Sequence, residues 1–110
     1  MDTMISFEEK LNFIKETILK HVQAKYIYLF GSYAYGEPKE DSDIDVYTVV
    51  PDGAEQDMFL RGNILWDLGD KNIYEVDLHI KSESKFNYRK TRSLFEGIIC
   101  EKGVIIYEST

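Results

Sequence analysis

The chain of 110 residues has one cysteine, two prolines and no excess of basic residues. A single cysteine, Cys100, excludes an internal disulfide framework, and its position next to apolar residues predicts a buried, inert thiol. So few prolines, together with 14% aromatic residues, exclude a disordered chain. The formal net charge of −7 argues against direct binding of nucleic acid, because phosphate backbones require a basic footprint.

Long apolar runs are also missing. No stretch approaches the length needed to cross a membrane, and the N-terminus lacks the layout of a signal peptide, so we expect a cytoplasmic protein. The length suits one hydrophobic core, and no linker, repeat or low-complexity segment divides it. We therefore expect a single domain over residues 1–110.

Helical and strand patterns alternate along the chain. Ser6 and Glu9 form a capping box, which predicts a helix that ends near His21. The other predicted elements are strands at about 25–30, 44–50, 73–80 and 104–107, helices at about 54–68 and 82–100, and a helical turn at 33–36. This alternation predicts an α/β fold in which a sheet of about four strands packs against helices.

The most informative stretch runs from Tyr26 to Val50. A buried strand ends at Gly31, a polar loop follows, and a second strand begins around Asp43 and Asp45. Since successive side chains of a strand point to opposite faces, these two aspartates lie on the same face. Two carboxylates held together repel each other unless a cation lies between them, and oxygen-only ligands favour a hard ion such as Mg²⁺.

Gly31 and Ser32 predict the other half of such a site. A glycine at the end of a strand lets the backbone turn sharply and approach a ligand closely. If a helical turn starts at Ser32, its free N–H groups and the positive end of its dipole suit a phosphate group. A phosphate cradle beside paired metal-binding carboxylates indicates nucleotide chemistry.

Four other interpretations of these residues are excluded or disfavoured. An EF-hand loop starting at Asp41 needs glycine at its sixth position and glutamate at its twelfth, where Val46 and Asp52 stand. No Gly-Lys-Ser/Thr motif follows Gly31, which excludes a P-loop. The three spaced glycines of a Rossmann dinucleotide-binding fingerprint are also missing. A solvated acidic loop explains Asp41, but it explains Asp45 poorly, because an aspartate within an apolar strand lowers strand propensity.

Gly31-Ser32, then ten residues, then Asp43-Ile44-Asp45 resemble the signature of the nucleotidyltransferase superfamily that includes DNA polymerase beta. The short chain is similar to the minimal branch of that superfamily, the MNT proteins that are paired with HEPN-domain toxins. The resemblance covers nearly the whole chain and implies a mixed sheet.

A two-metal site needs a third carboxylate, which the superfamily pattern places between apolar residues on a later strand. Asp77 matches this position best, and Glu75 on the same face is the runner-up. His79 shares that face, either as a support for the site or as a surface histidine. The resemblance implies catalytic and metal-binding roles for Asp43, Asp45 and Asp77, and nucleotide-binding roles for Gly31 and Ser32.

The implied activity is the transfer of a nucleoside monophosphate, most simply AMP from ATP, to a hydroxyl of a partner protein, with Mg²⁺ or Mn²⁺ as cofactor. The implied partner is a HEPN-domain toxin, with this chain as its antitoxin in a homo- or hetero-oligomer of undetermined size. Large relatives also have a helical substrate domain, which this chain lacks, so another protein is expected to bring the acceptor.

Many relatives carry an arginine before the glycine at 36, where this chain has Tyr35 or, one place earlier, Ala34. That difference keeps a second hypothesis open: a non-catalytic antitoxin that neutralises its partner by stoichiometric contact.

Overall fold

The computed structural model of the protein describes residues 5–110. The capping box forms as predicted: the N–H of Glu9 donates to Ser6 Oγ, and the N–H of Ser6 donates to the Glu9 carboxylate. The helices are α1 (Phe7–His21), α2 (Ser32–Tyr35), α3 (Leu60–Gly69), α4 (Glu83–Arg89) and α5 (Leu94–Lys102), with a 3₁₀ turn at Ala54–Gln56. The strands are β1 (Tyr26–Phe30), β2 (Ile44–Val50), β3 (Val76–Ser82) and β4 (Val104–Glu108).

The four strands form one mixed sheet in the order β3-β2-β1-β4. β1 pairs antiparallel with β2 and with β4, whereas β2 and β3 are parallel. A parallel pair needs a crossover connection, which the 3₁₀ turn and α3 provide. This mixed sheet packed against helices confirms the predicted α/β fold. Within residues 5–110 no helix has the length and apolar character that crossing a bilayer requires.

Helices cover both faces of the sheet. One face packs against α1 and α3, with Ile44 and Val46 of β2 in that core. The other face packs against α4 and α5, with Tyr47 and Val49 of β2 among the buried residues. Because side chains alternate along a strand, Asp45 lies on the second face, beside Tyr47.

The predicted helix at 54–68 is wrong in its first half. Residues 54–56 form only a 3₁₀ turn, and α3 begins at Leu60. Between them the Asp57 carboxylate accepts a hydrogen bond from the N–H of Phe59 at 3.0 Å, a local turn that competes with helix. Gly62 is tolerated within α3 because it is exposed, and a Cβ there would meet no atom within 4 Å.

The predicted single helix at 82–100 is two helices, α4 and α5. Phe86 and Ile99 are both buried against the same face of the sheet. They are thirteen positions apart, so one straight helix would point them in directions about 140° different. A break at residues 90–93 lets both side chains reach the sheet.

The prediction that Cys100 is buried is also wrong, since the thiol lies on the exposed side of α5.

Strand β3 starts three residues later than predicted. Asn72 has a positive φ of 59°, and the N–H of Ile73 donates to the carbonyl of Leu68 at 3.0 Å, which ties this segment to the end of α3. Ile73 is buried in the core without belonging to the sheet. Tyr74, which falls within the predicted strand but precedes β3, is 73% exposed.

Candidate active site

Two carboxylates meet on the face of the sheet that α4 and α5 cover. Asp45 of β2 and Asp77 of β3 are direct partners in the parallel register. Each is close to the beginning of its strand, and the two carboxylates are near enough for the charge of Asp77 to raise the pKa of Asp45. Neighbouring strands are only about 4.8 Å apart, so two acids at matched positions necessarily face each other.

Burial and the two other carboxylates raise the pKa of Asp45. Partial burial is the largest cause, followed by the negative charges of Asp77 and Asp43 and the hydrogen bond with Asp77. Asp43 is exposed in the loop just before β2. The charge of His79 opposes this effect and lowers the pKa. Burial and the two neighbouring carboxylates thus both disfavour the ionised form of Asp45 in the folded chain.

Gly31 brings the turn after β1 into contact with this acid pair. Its φ of +74° and ψ of −152° lie in a region that is essentially restricted to glycine. A Cβ built on Gly31 would come within 2.1 Å of Asp45 Oδ2. The carboxylate of Asp45 can therefore lie against the backbone of the turn only because residue 31 has no side chain.

Helix α2 starts directly after this glycine, at Ser32, one residue earlier than the predicted helical turn at 33–36. The N–H groups of Ala34 and Tyr35 both donate to the carbonyl of Gly31 at 3.0 Å, which closes the helical turn. The N–H groups of Ser32 and Tyr33 are thus the ones at the open N-terminal end. No side chain caps this end. The arrangement gives an acceptor group, such as a phosphate oxygen, two adjacent donors next to the acids.

The two candidates for the third carboxylate occupy different places. Glu75 Oε1 accepts a hydrogen bond from Lys10 Nζ at 2.5 Å, and this contact with α1 lowers the pKa of Glu75. Asp77, by contrast, lies beside Asp45, and its Oδ2 is 3.2 Å from His79 Nε2. The structure therefore groups Asp77, and not Glu75, with Asp45.

The donor set can be compared with what a metal ion requires. Within residues 5–110, no three His, Cys, Asp or Glu side chains are grouped tightly enough to hold a metal ion. Asp45 and Asp77 are together, while Asp43 contributes its charge from the loop. Carboxylate oxygens that repel each other and lie against a bare backbone turn fit a hard divalent cation such as Mg²⁺ or Mn²⁺ in their chemistry.

An aromatic cluster beside the acids was not predicted from the sequence. The imidazole of His79 lies 5.5 Å from the rings of Phe30 and Phe95 and 6.2 Å from that of Tyr47, measured between centroids. The sequence does hold a signal for Tyr47, because it follows Asp45 by two positions and so shares its face. Phe95 comes from α5, and no local pattern links it to the acids.

Comparison with known proteins places the chain in context. A family model for a nucleotidyltransferase domain matches residues 3–100. A protein from Methanocaldococcus jannaschii, named as a candidate protein adenylyltransferase, is 44% identical over 46 residues. That match covers 42% of this chain and 54% of the relative, so the chain spans about half the length of the relative.

Solved structures share the fold. A chain of a toxin–antitoxin complex with AMP-PNP superposes with a TM-score of 0.65 at 23% identity, covering 90% of this chain and 73% of the other. A chain of the complex between a tri-AMPylated Shewanella oneidensis HEPN toxin and an MNT antitoxin superposes with a TM-score of 0.59 at 19% identity, covering 93% of this chain and 72% of the other. At these identities the likeness establishes the architecture.

Proposed function

The chain belongs to the nucleotidyltransferase domain family, and from this premise we propose that it transfers AMP from ATP to a hydroxyl group of a partner protein. Membership of the family supports the predicted enzyme class, a nucleotidyltransferase. The observation that carries the proposal is the contact between three parts of the site: the bare turn at Gly31, the carboxylate of Asp45 and the carboxylate of Asp77. A triphosphate and the acids that neutralise it through a cation need this proximity.

In the proposed reaction the acceptor hydroxyl oxygen attacks the α-phosphorus of ATP. A new phosphoester bond forms, the bond to the bridging oxygen breaks, pyrophosphate leaves in line, and the hydroxyl proton is lost to solvent or to a nearby carboxylate. Asp43 and Asp45 would hold the cation that accompanies the triphosphate, and Asp77 would join them in holding a second cation. Divalent cations, when bound, neutralise the triphosphate and lower the pKa of the attacking hydroxyl.

The turn after β1 contributes the contacts to phosphate. The hydroxyl and N–H of Ser32 and the N–H of Tyr33 donate to phosphate oxygens from the open end of α2. Gly31 allows the triphosphate and the carboxylate of Asp45 to share this small space, since no Cβ intervenes. The exposed side chain of Tyr35, near the position of the arginine in many relatives, is 42% accessible and lies on the same short helix.

The proposed partner is a HEPN-domain toxin, and the chain acts as its antitoxin in the cytoplasm, as a single domain over residues 1–110. Support comes from the solved complexes, in which a chain of the same fold is bound to a HEPN toxin that carries AMP groups. A toxin–antitoxin complex of the same fold was also solved with AMP-PNP, an analogue of ATP. The acceptor hydroxyl would then belong to the toxin.

The test is transfer of label from [α-³²P]ATP to the protein encoded beside this chain, with Mg²⁺ present. We expect label on the partner with the wild-type chain and none with the D43A/D45A double variant. D41A is the matched control, because Asp41 is an exposed acid in the same loop that has no proposed role. Equal labelling by wild type and the double variant would reject the catalytic assignment. If neither chain labels the partner but both bind and neutralise it, the non-catalytic antitoxin is the correct function.

A further inference from the structure

We propose that His79 is a positioning residue that holds the carboxylate of Asp77 in the orientation needed at the site, inside a frame built by Tyr47 and Glu96. The inference rests on the proposed function, because it assigns His79 a task only if Asp77 takes part in cation binding. It concerns side chains that the proposed reaction does not otherwise use.

The contact with Asp77 is direct. His79 Nε2 lies 3.2 Å from Asp77 Oδ2, and both side chains project from the same face of β3. Since a carboxylate oxygen only accepts, Nε2 must carry the hydrogen. One oxygen of Asp77 is thereby held, and the carboxylate cannot rotate freely about its Cβ–Cγ bond.

The imidazole of His79 is itself fixed by aromatic rings. Tyr47 is stacked against it with only 13° between the ring planes, Phe30 lies edge-on at 65°, and Phe95 is tilted at 56°. An imidazole packed by three rings has few alternative rotamers, so its Nε2 edge points steadily toward Asp77. Edge-to-face and offset-stacked arrangements are also the favourable geometries for such pairs.

The ring of Tyr47 is held in turn by a buried carboxylate. Tyr47 is fully buried, and its hydroxyl donates to Glu96 Oε2 at 2.9 Å. Glu96 is 1% exposed and pairs with Arg89 Nε at 3.1 Å. Burial opposes its ionisation, but the hydrogen bond from Tyr47 and the nearby Ser93 and Arg89 outweigh that and hold the pKa of Glu96 below the usual value.

A buried ion pair is weak evidence for stability, because its desolvation offsets much of its attraction. Here the pair has a different consequence. Arg89 belongs to α4, Glu96 to α5 and Tyr47 to β2, so the contacts among these three residues fix the two helices to the sheet beside His79. A chain of side-chain contacts thus connects α4 to the acid pair.

The expected effect follows from metal sites in general, where groups that orient a ligand change metal affinity about 10- to 100-fold. His79 is partly exposed, which favours the lower end. The experiment is a titration with Mn²⁺ alone, followed by the electron paramagnetic resonance signal of the free ion. Two variants separate the hydrogen bond from the packing: H79Q keeps a donor at the position of Nε2, and H79F keeps the ring.

We expect H79F to weaken Mn²⁺ binding about tenfold and H79Q to stay within about threefold of wild type. I99V, which trims a fully buried side chain of the same core, is the control for simple destabilisation and is expected to bind Mn²⁺ as wild type does. Wild-type affinity in H79F, or an equal loss in H79Q and H79F, would overturn the inference and leave the proposed function standing. A wild-type chain that binds no Mn²⁺ would overturn both.

Discussion

Gly31 offers the sharpest mutational test, because the structure assigns it two separate tasks. In G31A the new residue must adopt a φ of +74° in a region restricted to glycine, which costs about 2 kcal/mol of folding free energy. Its Cβ would also stand 2.1 Å from Asp45 Oδ2, and an approach under 3.0 Å is not tolerated. The carboxylate must therefore retreat by almost an ångström. A misplacement of about 1 Å in an active site reduces the rate by roughly 100-fold.

The matched control is G53A. Gly53 also has a positive φ, +98°, but a Cβ there would meet no atom within 4 Å. We expect both variants to melt roughly 10 °C below wild type, since about 2 kcal/mol shifts the midpoint by that amount in a domain of this size. Only G31A should lose transfer of labelled AMP, measured at a temperature where both variants are folded. If G53A loses as much activity as G31A, or if G31A keeps it, the contact with Asp45 does not control the site.

Three further outcomes follow from the charges of the fold. A hundredfold excess of Mn²⁺ over its Kd should stabilise the folded chain by about 2.7 kcal/mol, which raises the melting temperature by on the order of ten degrees. D77N should melt higher than wild type without metal, because a repelling charge is removed, and should lose most of this response to Mn²⁺. Burial and neighbouring acids raise the pKa of Asp45, so its ionisation opposes folding at pH values above that pKa. D45N should therefore be more stable than wild type at pH 7. This gain in stability should fade as pH falls through the raised pKa toward 3.8. E96A leaves the buried hydroxyl of Tyr47 without its acceptor and should cost about 3 kcal/mol in urea unfolding, whereas E101A, at an exposed position of the same helix, should change stability by less than about 0.5 kcal/mol.

Local signals predicted the elements that depend on local chemistry. The cap at Ser6 and Glu9 sets the start of α1, and the apolar run of β2 was predicted with its observed bounds, Ile44–Val50. The two-residue period of a strand predicted that Asp43 and Asp45 share a face, but Asp43 lies in the exposed loop before β2 and only Asp45 belongs to the strand. The structure places Asp45 and Asp77 in contact, and their role in catalysis remains a prediction.

Long-range packing decided the rest. The break between α4 and α5 exists because Phe86 and Ile99 must reach the same face of the sheet, and no local pattern shows that demand. The choice between Glu75 and Asp77 similarly depended on Lys10, a partner 65 positions away that holds Glu75 against α1. The three rings around His79 come from three other elements, β1, β2 and α5, so the sequence could not show that they meet.

The central claim is that Asp77 completes a site with Asp43 and Asp45 on which AMP transfer depends. The most direct measurement compares single-turnover transfer from [α-³²P]ATP to the partner by D77N and by E75Q. Both replace a carboxylate by an amide on the same segment, but Glu75 contacts Lys10 and Asp77 contacts Asp45. Losing a cation ligand removes about 3 kcal/mol of transition-state stabilisation, so D77N should be slower than wild type by roughly 100-fold while E75Q transfers at the wild-type rate. Wild-type transfer by D77N, or a collapse of activity in E75Q alone, would contradict the claim.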